Sequence, residues 1–252
     1  MICPARTMPT LIGVGVGPGD PELLTRKAVH VLECADVILV PATESSGDGP
    51  GHAERIVVAG CPAVVGRIRR IPFSMAERRG VGAERRKSWA ASAQATIDAF
   101  QAGAGLVVFA TVGDPSVYST FSYLADHVRA AVPGIAFEVV PGITAMQALA
   151  AESLIPLVEG QETLALIPAT AGDEVVAAAL DASDAVVYYK GGRRLADLVA
   201  LIKRHGRDGV LGVNIGLEGQ MITPVSQVDA DQAPYFSTLL VTPRRTATGG
   251  RL

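Results

Sequence analysis

The chain has 252 residues, of which 49% are hydrophobic and 19% are charged, and its formal net charge is -3. This composition supplies enough apolar side chains for one large domain or two small ones, and it excludes an intrinsically disordered chain. The slight acidic excess argues against a nucleic-acid-binding protein, which usually carries a basic excess. We therefore expect a globular protein that binds no nucleic acid.

The amino terminus and the cysteines bear on where the protein works. The opening segment, MICPARTMPT, lacks the apolar core of a secretory signal, and no apolar run approaches the ~20 residues of a membrane helix. The cysteines are widely spaced and form no CxxC pair, which predicts a reducing cytoplasm rather than a disulfide framework: Cys3, Cys34 and Cys61. The four histidines show no paired metal spacing, so we expect no bound metal. Because there is no long apolar run, we expect no association with a membrane.

The first elements are a strand, a glycine-rich turn, a helix and a second strand. The apolar run Thr10–Val16 is typical of a buried parallel strand, and Gly17-Pro18-Gly19 interrupts it. Asp20 is a good N-cap and Pro21 suits the first helical position. The next strand is predicted over Val37–Val40. Together these elements predict a βαβ unit.

The same alternation continues to the end of the chain and predicts an α/β fold. A hinge between Pro141 and Glu159 suggests two α/β domains, residues 1–141 and residues 142–252. The further predicted strands are Ile56–Val58, Gly66–Ile71, Leu106–Thr111, Ala136–Val140, Thr163–Ile167, Ala185–Tyr189, Val210–Ile215, Met221–Val225 and Phe236–Val241. The further predicted helices cover Glu84–Gln101, the segment after Val117, Thr144–Ser153, Asp173–Leu180 and Arg194–His205.

Three strand ends carry the small, sharply turning residues that line ligand sites in open α/β sheets: GVGPGD, TVGDPSVYST and VVPGITA. The first turn departs from the dinucleotide fingerprint G-x-G-x-x-G, because the third glycine would fall on Pro18 or on Asp20. A carboxylate at the start of a helix repels a pyrophosphate. The turn therefore fits a ligand without phosphates, and a tight turn with no ligand is the alternative.

These segments resemble the tetrapyrrole (corrin-type) methyltransferases. The motifs GPGDPELLT, GDPSVYST, LVEGQETLALIPA and YYKGG carry the similarity, which extends from about Thr10 to Val241. The resemblance implies two α/β domains of the tetrapyrrole methyltransferase type, a homodimer, and S-adenosylmethionine bound in a cleft between the domains. Within the family, GDPSVYST and LVEGQETLALIPA are similar to the branch that methylates carbon 20 of precorrin-2, or of its cobalt-containing counterpart, in cobalamin biosynthesis.

The resemblance also implies which residues bind the methyl donor. Lys190 stands where relatives have an apolar residue, so its contact is expected through the backbone or the stem of the side chain. For some positions a simpler role is the alternative: a helix cap for Asp114 and Thr144, and core packing for Val117. The expected donor-binding residues are Pro18, Val112, Gly113, Asp114, Val117, Ser119, Thr120, Thr144, Ala145, Lys190, Gly216 and Thr238.

The implied substrate is a tetrapyrrole fringed with acetate and propionate groups, which arginine forks match in geometry. Two basic runs, GRIRR and ERRGVGAERRK, offer such forks. Arg69 and Arg70, near a strand end, are the candidates for substrate binding, and a solvated charged face is the alternative. Asp20 is read as a helix cap, with a role in positioning the tetrapyrrole as the alternative. No motif identifies a catalytic base, and none is assigned.

Other functions remain open at this point. A methylase of the same fold acting at another ring position, or on RNA, shares most of these motifs, although the acidic balance argues against RNA. A dinucleotide-dependent oxidoreductase is disfavoured by the misplaced third glycine. A binding module without activity is a further alternative, disfavoured by the three intact turns.

Overall fold

The computed structural model describes residues 7–43, 49–73, 82–229 and 231–245. The chain divides into two compact units, Met1–Thr144 and Ala145–Leu252. Each unit builds a sheet of its own from the strands that it contributes. The sequence places the division three residues earlier, after residue 141.

The first unit is a parallel sheet with helices between its strands. The strand order is β3-β2-β4-β1-β5, and every neighbouring pair is parallel, so all five carboxyl ends lie at one edge. The strands are β1 (Thr10–Gly15), β2 (Val37–Thr43), β3 (Ile68–Phe73), β4 (Leu106–Thr111) and β5 (Ala136–Val140). The helices are α1 (Arg26–Cys34), α2 (His52–Gly60), α3 (Ala83–Gln101) and α4 (Phe121–Ala131).

The central strands β1 and β4 are buried on both faces of this sheet. Along β1, Ile12 and Val14 pack with α1 and α2, whereas Leu11 packs with α4 on the opposite face. This follows from the alternation of side chains along a strand. Gly13 is required because a Cβ there would lie 2.6 Å from the ring of Phe121. Continuous apolar strands such as β4 are therefore buried on both sides, as expected of a parallel sheet.

The second unit is a mixed sheet in the order β6-β7-β10-β8-β9, in which only β6 and β7 pair in parallel. Because β10 is antiparallel to both neighbours, it begins at the edge where β7 and β8 end. Thr238 of β10 lies level with Tyr189 and Gly212. The strands are β6 (Leu164–Pro168), β7 (Ala185–Tyr189), β8 (Asp208–Val213), β9 (Met221–Pro224) and β10 (Ser237–Thr242), and the helices are α5 (Ala145–Ser153), α6 (Asp173–Ala182) and α7 (Leu195–Arg204).

The helices of the second unit cover its sheet from both faces. Helices α6 and α7 pack on Val186, Tyr188 and Leu239. Helix α5 packs on the other face, where a Cβ on Gly212 would lie 2.6 Å from Cδ1 of Leu149. The alternating direction of side chains along each strand again sorts them between the two helical layers.

The structure corrects three expectations from the sequence. The first α-helix begins at Arg26, not Pro21, because Asp20 caps only the single 3₁₀ turn Pro21–Leu23 and Thr25 caps α1. The strand expected at Ile56–Val58 is part of α2, whose Ala53, Ile56 and Val57 are buried at helical spacing. Cys34 is disulfide-bonded and Cys61 is a buried free thiol, whereas Cys3 lies outside the described residues.

Within the described ranges, no helix is both long and apolar enough to span a bilayer.

Candidate functional site

The three glycine-containing turns of the first unit are packed directly on one another. The Gly113 N–H donates to the carbonyl oxygen of Gly17 over 2.7 Å, and the Gly17 N–H donates to that of Gly113 over 3.3 Å. A Cβ on Gly15 would lie 2.5 Å from the Gly113 oxygen, and a Cβ on Gly142 would overlap the same oxygen. Gly15 and Gly142 are therefore required by the close packing of the neighbouring turns.

Asp114 joins two of these turns through its buried carboxylate. Oδ2 accepts the Gly142 N–H over 2.9 Å, while Oδ1 accepts the N–H of Ser116 over 2.7 Å and its hydroxyl. Burial acts to raise the pKa of Asp114, but the hydrogen bonds from Ser116 and Gly142 outweigh it, so the pKa lies below its usual value. The carboxylate is therefore ionised at neutral pH and acts as a bracket between the turns after β4 and β5.

One backbone position at this edge faces open space. Gly113 has φ +70°, a conformation that favours glycine, and no atom lies within 4 Å of the place where its Cβ would be. The start of α1, by contrast, is occupied by the chain itself. Asp20 accepts the N–H of Glu22, and Thr25 accepts the N–H of Ala28. One amide in each of these two turns is thus bonded to a side chain of the protein itself.

The carboxyl edge of β7 in the second unit is tied to α5. The hydroxyl oxygen of Tyr189 accepts the N–H of Met146, in the first turn of α5, over 2.9 Å. At the other end of the helix, Gln220 donates to Glu152 over 3.0 Å and accepts the N–H of Gly216 over 2.7 Å. Helix α5 therefore runs along this edge, from the end of β7 to the turn between β8 and β9.

The structure places the residues expected to bind the donor at these two edges, each set within its own unit. Ser119 is held by the protein, because its hydroxyl donates to Thr111 and accepts the Phe121 N–H. The turns of the first unit carry Pro18, Val112, Gly113, Asp114, Val117, Ser119, Thr120 and Thr144, and the edge of the second unit carries Ala145, Lys190, Gly216 and Thr238.

Arg69 and Arg70 lie in the amino-terminal half of β3, and not at its carboxyl end. Arg70 forms a bidentate pair with Glu54 of α2, with bonds of 2.7 Å and 3.0 Å. Arg69 donates to the carbonyl oxygens of Gly66 and Ile68. Of the second basic run, Arg78 and Arg79 lie outside the described residues. The two arginines expected to bind substrate therefore have protein acceptors of their own.

Three residues that complete these edges were not among the expected donor-binding residues: Ser116, Gly142 and Tyr189. Gly142 is bonded across 28 positions of sequence and Tyr189 across 43. No local pattern signals such distant pairs. In the part of the chain that the structure describes, no group of three His, Cys, Asp or Glu side chains is arranged to hold a metal ion.

Comparison with known proteins agrees with this architecture. The family model described as tetrapyrrole (corrin/porphyrin) methylases matches residues 10–229. The chain belongs to this family. A precorrin-2 C(20)-methyltransferase from Sinorhizobium sp. is 36% identical over 237 residues, covering 92% of this chain and 94% of the relative. A cobalt-precorrin-2 C(20)-methyltransferase from Salmonella typhimurium is 31% identical, covering 92% of this chain and 95% of the relative.

A solved structure shows the same fold. Uroporphyrin-III C-methyltransferase from Thermus thermophilus, in complex with S-adenosylhomocysteine, superposes with a TM-score of 0.61 at 20% identity. The superposition covers 92% of this chain and 97% of that structure. The tetrapyrrole methylase resemblance and the α/β fold class are thereby confirmed.

Proposed function

We propose that this chain transfers a methyl group from S-adenosylmethionine to carbon 20 of precorrin-2 or of cobalt-precorrin-2. The observation that carries the proposal is the pair of C(20)-methyltransferases that match over nearly their whole lengths, 94% and 95%. One of them is named for the metal-free substrate and the other for the cobalt-containing one, so the proposal includes both. The product of the metal-free reaction is precorrin-3A.

The first edge has the properties that such a donor needs. S-adenosylmethionine carries no phosphate, and the carboxylate of Asp20, which caps the turn after β1, would repel one. Gly113 leaves an open backbone position beside the ionised Asp114. A related methyltransferase structure contains S-adenosylhomocysteine. We propose that the residues expected at the edges of both units bind this donor.

When bound, the donor supplies an already activated sulfonium methyl group, so the protein has chiefly to position the reacting atoms and exclude water. Asp114 serves this purpose by holding two turns in register, since its carboxylate bridges Ser116 and Gly142. Tyr189 does the same for the start of α5. No side chain is assigned as a base for the proton that leaves carbon 20.

We further propose that the two units are the amino- and carboxyl-terminal domains of a homodimer. The support is the similarity to whole tetrapyrrole methylases, which spans both units. Sedimentation equilibrium tests the oligomeric state, because a single species at twice the chain mass of 26.1 kDa is expected and a monomer contradicts the proposal.

The activity is tested by incubating the protein with isotopically labelled S-adenosylmethionine and either precorrin-2 or cobalt-precorrin-2. We expect one of the two macrocycles to gain the mass of one methyl group, with equimolar S-adenosylhomocysteine formed. The Gly113→Val variant is the matched negative control, because a bulky side chain at φ +70° fills the open backbone position. The absence of methyl gain in both macrocycles with the unaltered protein contradicts the proposal.

A further inference from the structure

The edge of the second sheet contains an unusual lysine. Lys190, directly after β7, has φ 59°, and Asn214, after β8, has φ 51°. Asparagine tolerates this left-handed conformation, whereas lysine adopts it rarely. Non-glycine residues in such conformations cluster at functional sites, where the side chain is needed in spite of the backbone strain.

The two residues that follow Lys190 in this turn are both glycines. A Cβ on Gly191 would lie 2.6 Å from Cδ1 of Leu198, and one on Gly192 would overlap the carbonyl oxygen of Ala233. Both glycines are therefore required for close packing. Position 190 is exposed, yet it holds a long cationic side chain where glycine would relieve the strain.

Lys190 is also well placed by charge. Among the described residues of the turns at this edge, the basic ones are Lys190, Arg193 and Arg194. Lys190 directly follows Tyr189, which is level with Thr238. It is thus the cation adjoining the edge where the donor-binding residues of this unit lie.

We propose that the ammonium group of Lys190 binds a carboxylate of the bound reactants. The inference rests on the proposed function, because both reactants then carry the required group: the acetate and propionate chains of the tetrapyrrole, and the methionine end of the donor. It goes beyond a backbone contact at this position, since the charge itself recognises the ligand. Lys190 is a positioning residue for the reaction, and no step of methyl transfer passes through it.

The test compares Lys190→Met with Lys190→Arg and the control Arg193→Met. The methionine keeps a long side chain and the positive φ at position 190 but removes the charge. Arg193 is an exposed cation of the same turn. Two dissociation constants are measured for each protein, one for uroporphyrin by fluorescence and one for S-adenosylhomocysteine by calorimetry. Circular dichroism confirms that each variant is folded.

We expect Lys190→Met to raise the dissociation constant of one of the two ligands about fivefold, a modest factor because the site is exposed. Lys190→Arg should restore most of that loss, Arg193→Met should stay within about twofold of the unaltered protein, and high salt should narrow the difference. Weakened uroporphyrin binding assigns the carboxylate to the macrocycle, and weakened S-adenosylhomocysteine binding assigns it to the donor.

The inference is overturned if Lys190→Met binds both ligands as the unaltered protein does, if Arg193→Met weakens them equally, or if the unaltered protein binds neither. The proposed function fails separately, when the unaltered protein binds these ligands but transfers no methyl group to precorrin-2 or cobalt-precorrin-2. The two failures are therefore distinguishable.

Discussion

Removing the carboxylate of Asp114 should destabilise the first unit selectively. In Asp114→Ala, three hydrogen-bond donors lose their acceptor: the N–H and the hydroxyl of Ser116 and the N–H of Gly142. Leaving the Gly142 N–H without an acceptor should cost the most. Because hydrogen bonds to charged groups contribute roughly 1.5–3 kcal/mol and solvent partly replaces those of Ser116, we expect a loss of about 3 kcal/mol. In Asp114→Asn, which keeps an acceptor but loses the charge, we expect a loss of about 1.5 kcal/mol.

The stabilisation that the Asp114 carboxylate provides should depend on pH. The folded-state pKa of Asp114 lies below its unfolded value, so the stabilisation is fully present above the unfolded pKa, about 3.9. It is lost as the pH falls through the folded pKa. The difference in the free energy of unfolding between the unaltered protein and Asp114→Asn should therefore be constant near neutral pH and should shrink below about pH 4.

Urea unfolding followed by tryptophan fluorescence measures this difference. The chain has one tryptophan, Trp89, which stacks on Tyr123 at 4.3 Å between α3 and α4, so its emission reports on the first unit. Asp126→Asn, which breaks an exposed pair with Arg129, is the control and should change stability by less than about 0.5 kcal/mol. If Asp114→Ala lowers the free energy of unfolding no more than this control does, Asp114 does not hold the two turns together.

Two further substitutions test the packing of each unit. Gly142→Ala should lower the stability of the first unit by about 2 kcal/mol, because its Cβ would overlap the Gly113 oxygen, and Gly66→Ala, with nothing within 4 Å, should be nearly neutral by the same fluorescence assay. Arg245→Met should destabilise the second unit by about 3 kcal/mol, since it leaves two glutamates of a buried ionic cluster without their partner. Hydrogen exchange in β6 and β10 measures this loss. Arg244→Met, which removes an exposed ion pair, is the control and should leave that exchange unchanged. Equal effects of the two arginine substitutions would contradict the cluster's role.

Much of the fold is predictable from the sequence because its signals are local. The apolar runs of β1, β4 and β7 are buried along almost their whole lengths, and a short sequence window contains that signal. Helix α2 is missed because Ile56 and Val57 favour a strand locally, and only their packing against the first sheet selects the helix. The start of α1 is misplaced because Asp20 caps a short 3₁₀ turn first, and Thr25 caps the α-helix further along the chain.

The candidate site is only partly predictable for a related reason. The turns that contain Asp114 and Gly216 are visible as glycine-rich breaks after strands, so their positions at the sheet edges follow from α/β topology. What these residues bond to is a matter of distant segments, as the Asp114–Gly142 and Tyr189–Met146 contacts show. The strain at Lys190 appears only in the backbone angles of the folded chain.

The central claim is the position of methyl transfer, and a labelled product tests it most directly. The protein is supplied with S-adenosylmethionine carrying ¹³C in its methyl group, together with precorrin-2 and, in parallel, cobalt-precorrin-2, and the product is examined by carbon NMR. We predict a single enriched methyl signal whose couplings place it on carbon 20 of the macrocycle. An enriched methyl on any other ring carbon would contradict the assignment while leaving the chain a tetrapyrrole methylase.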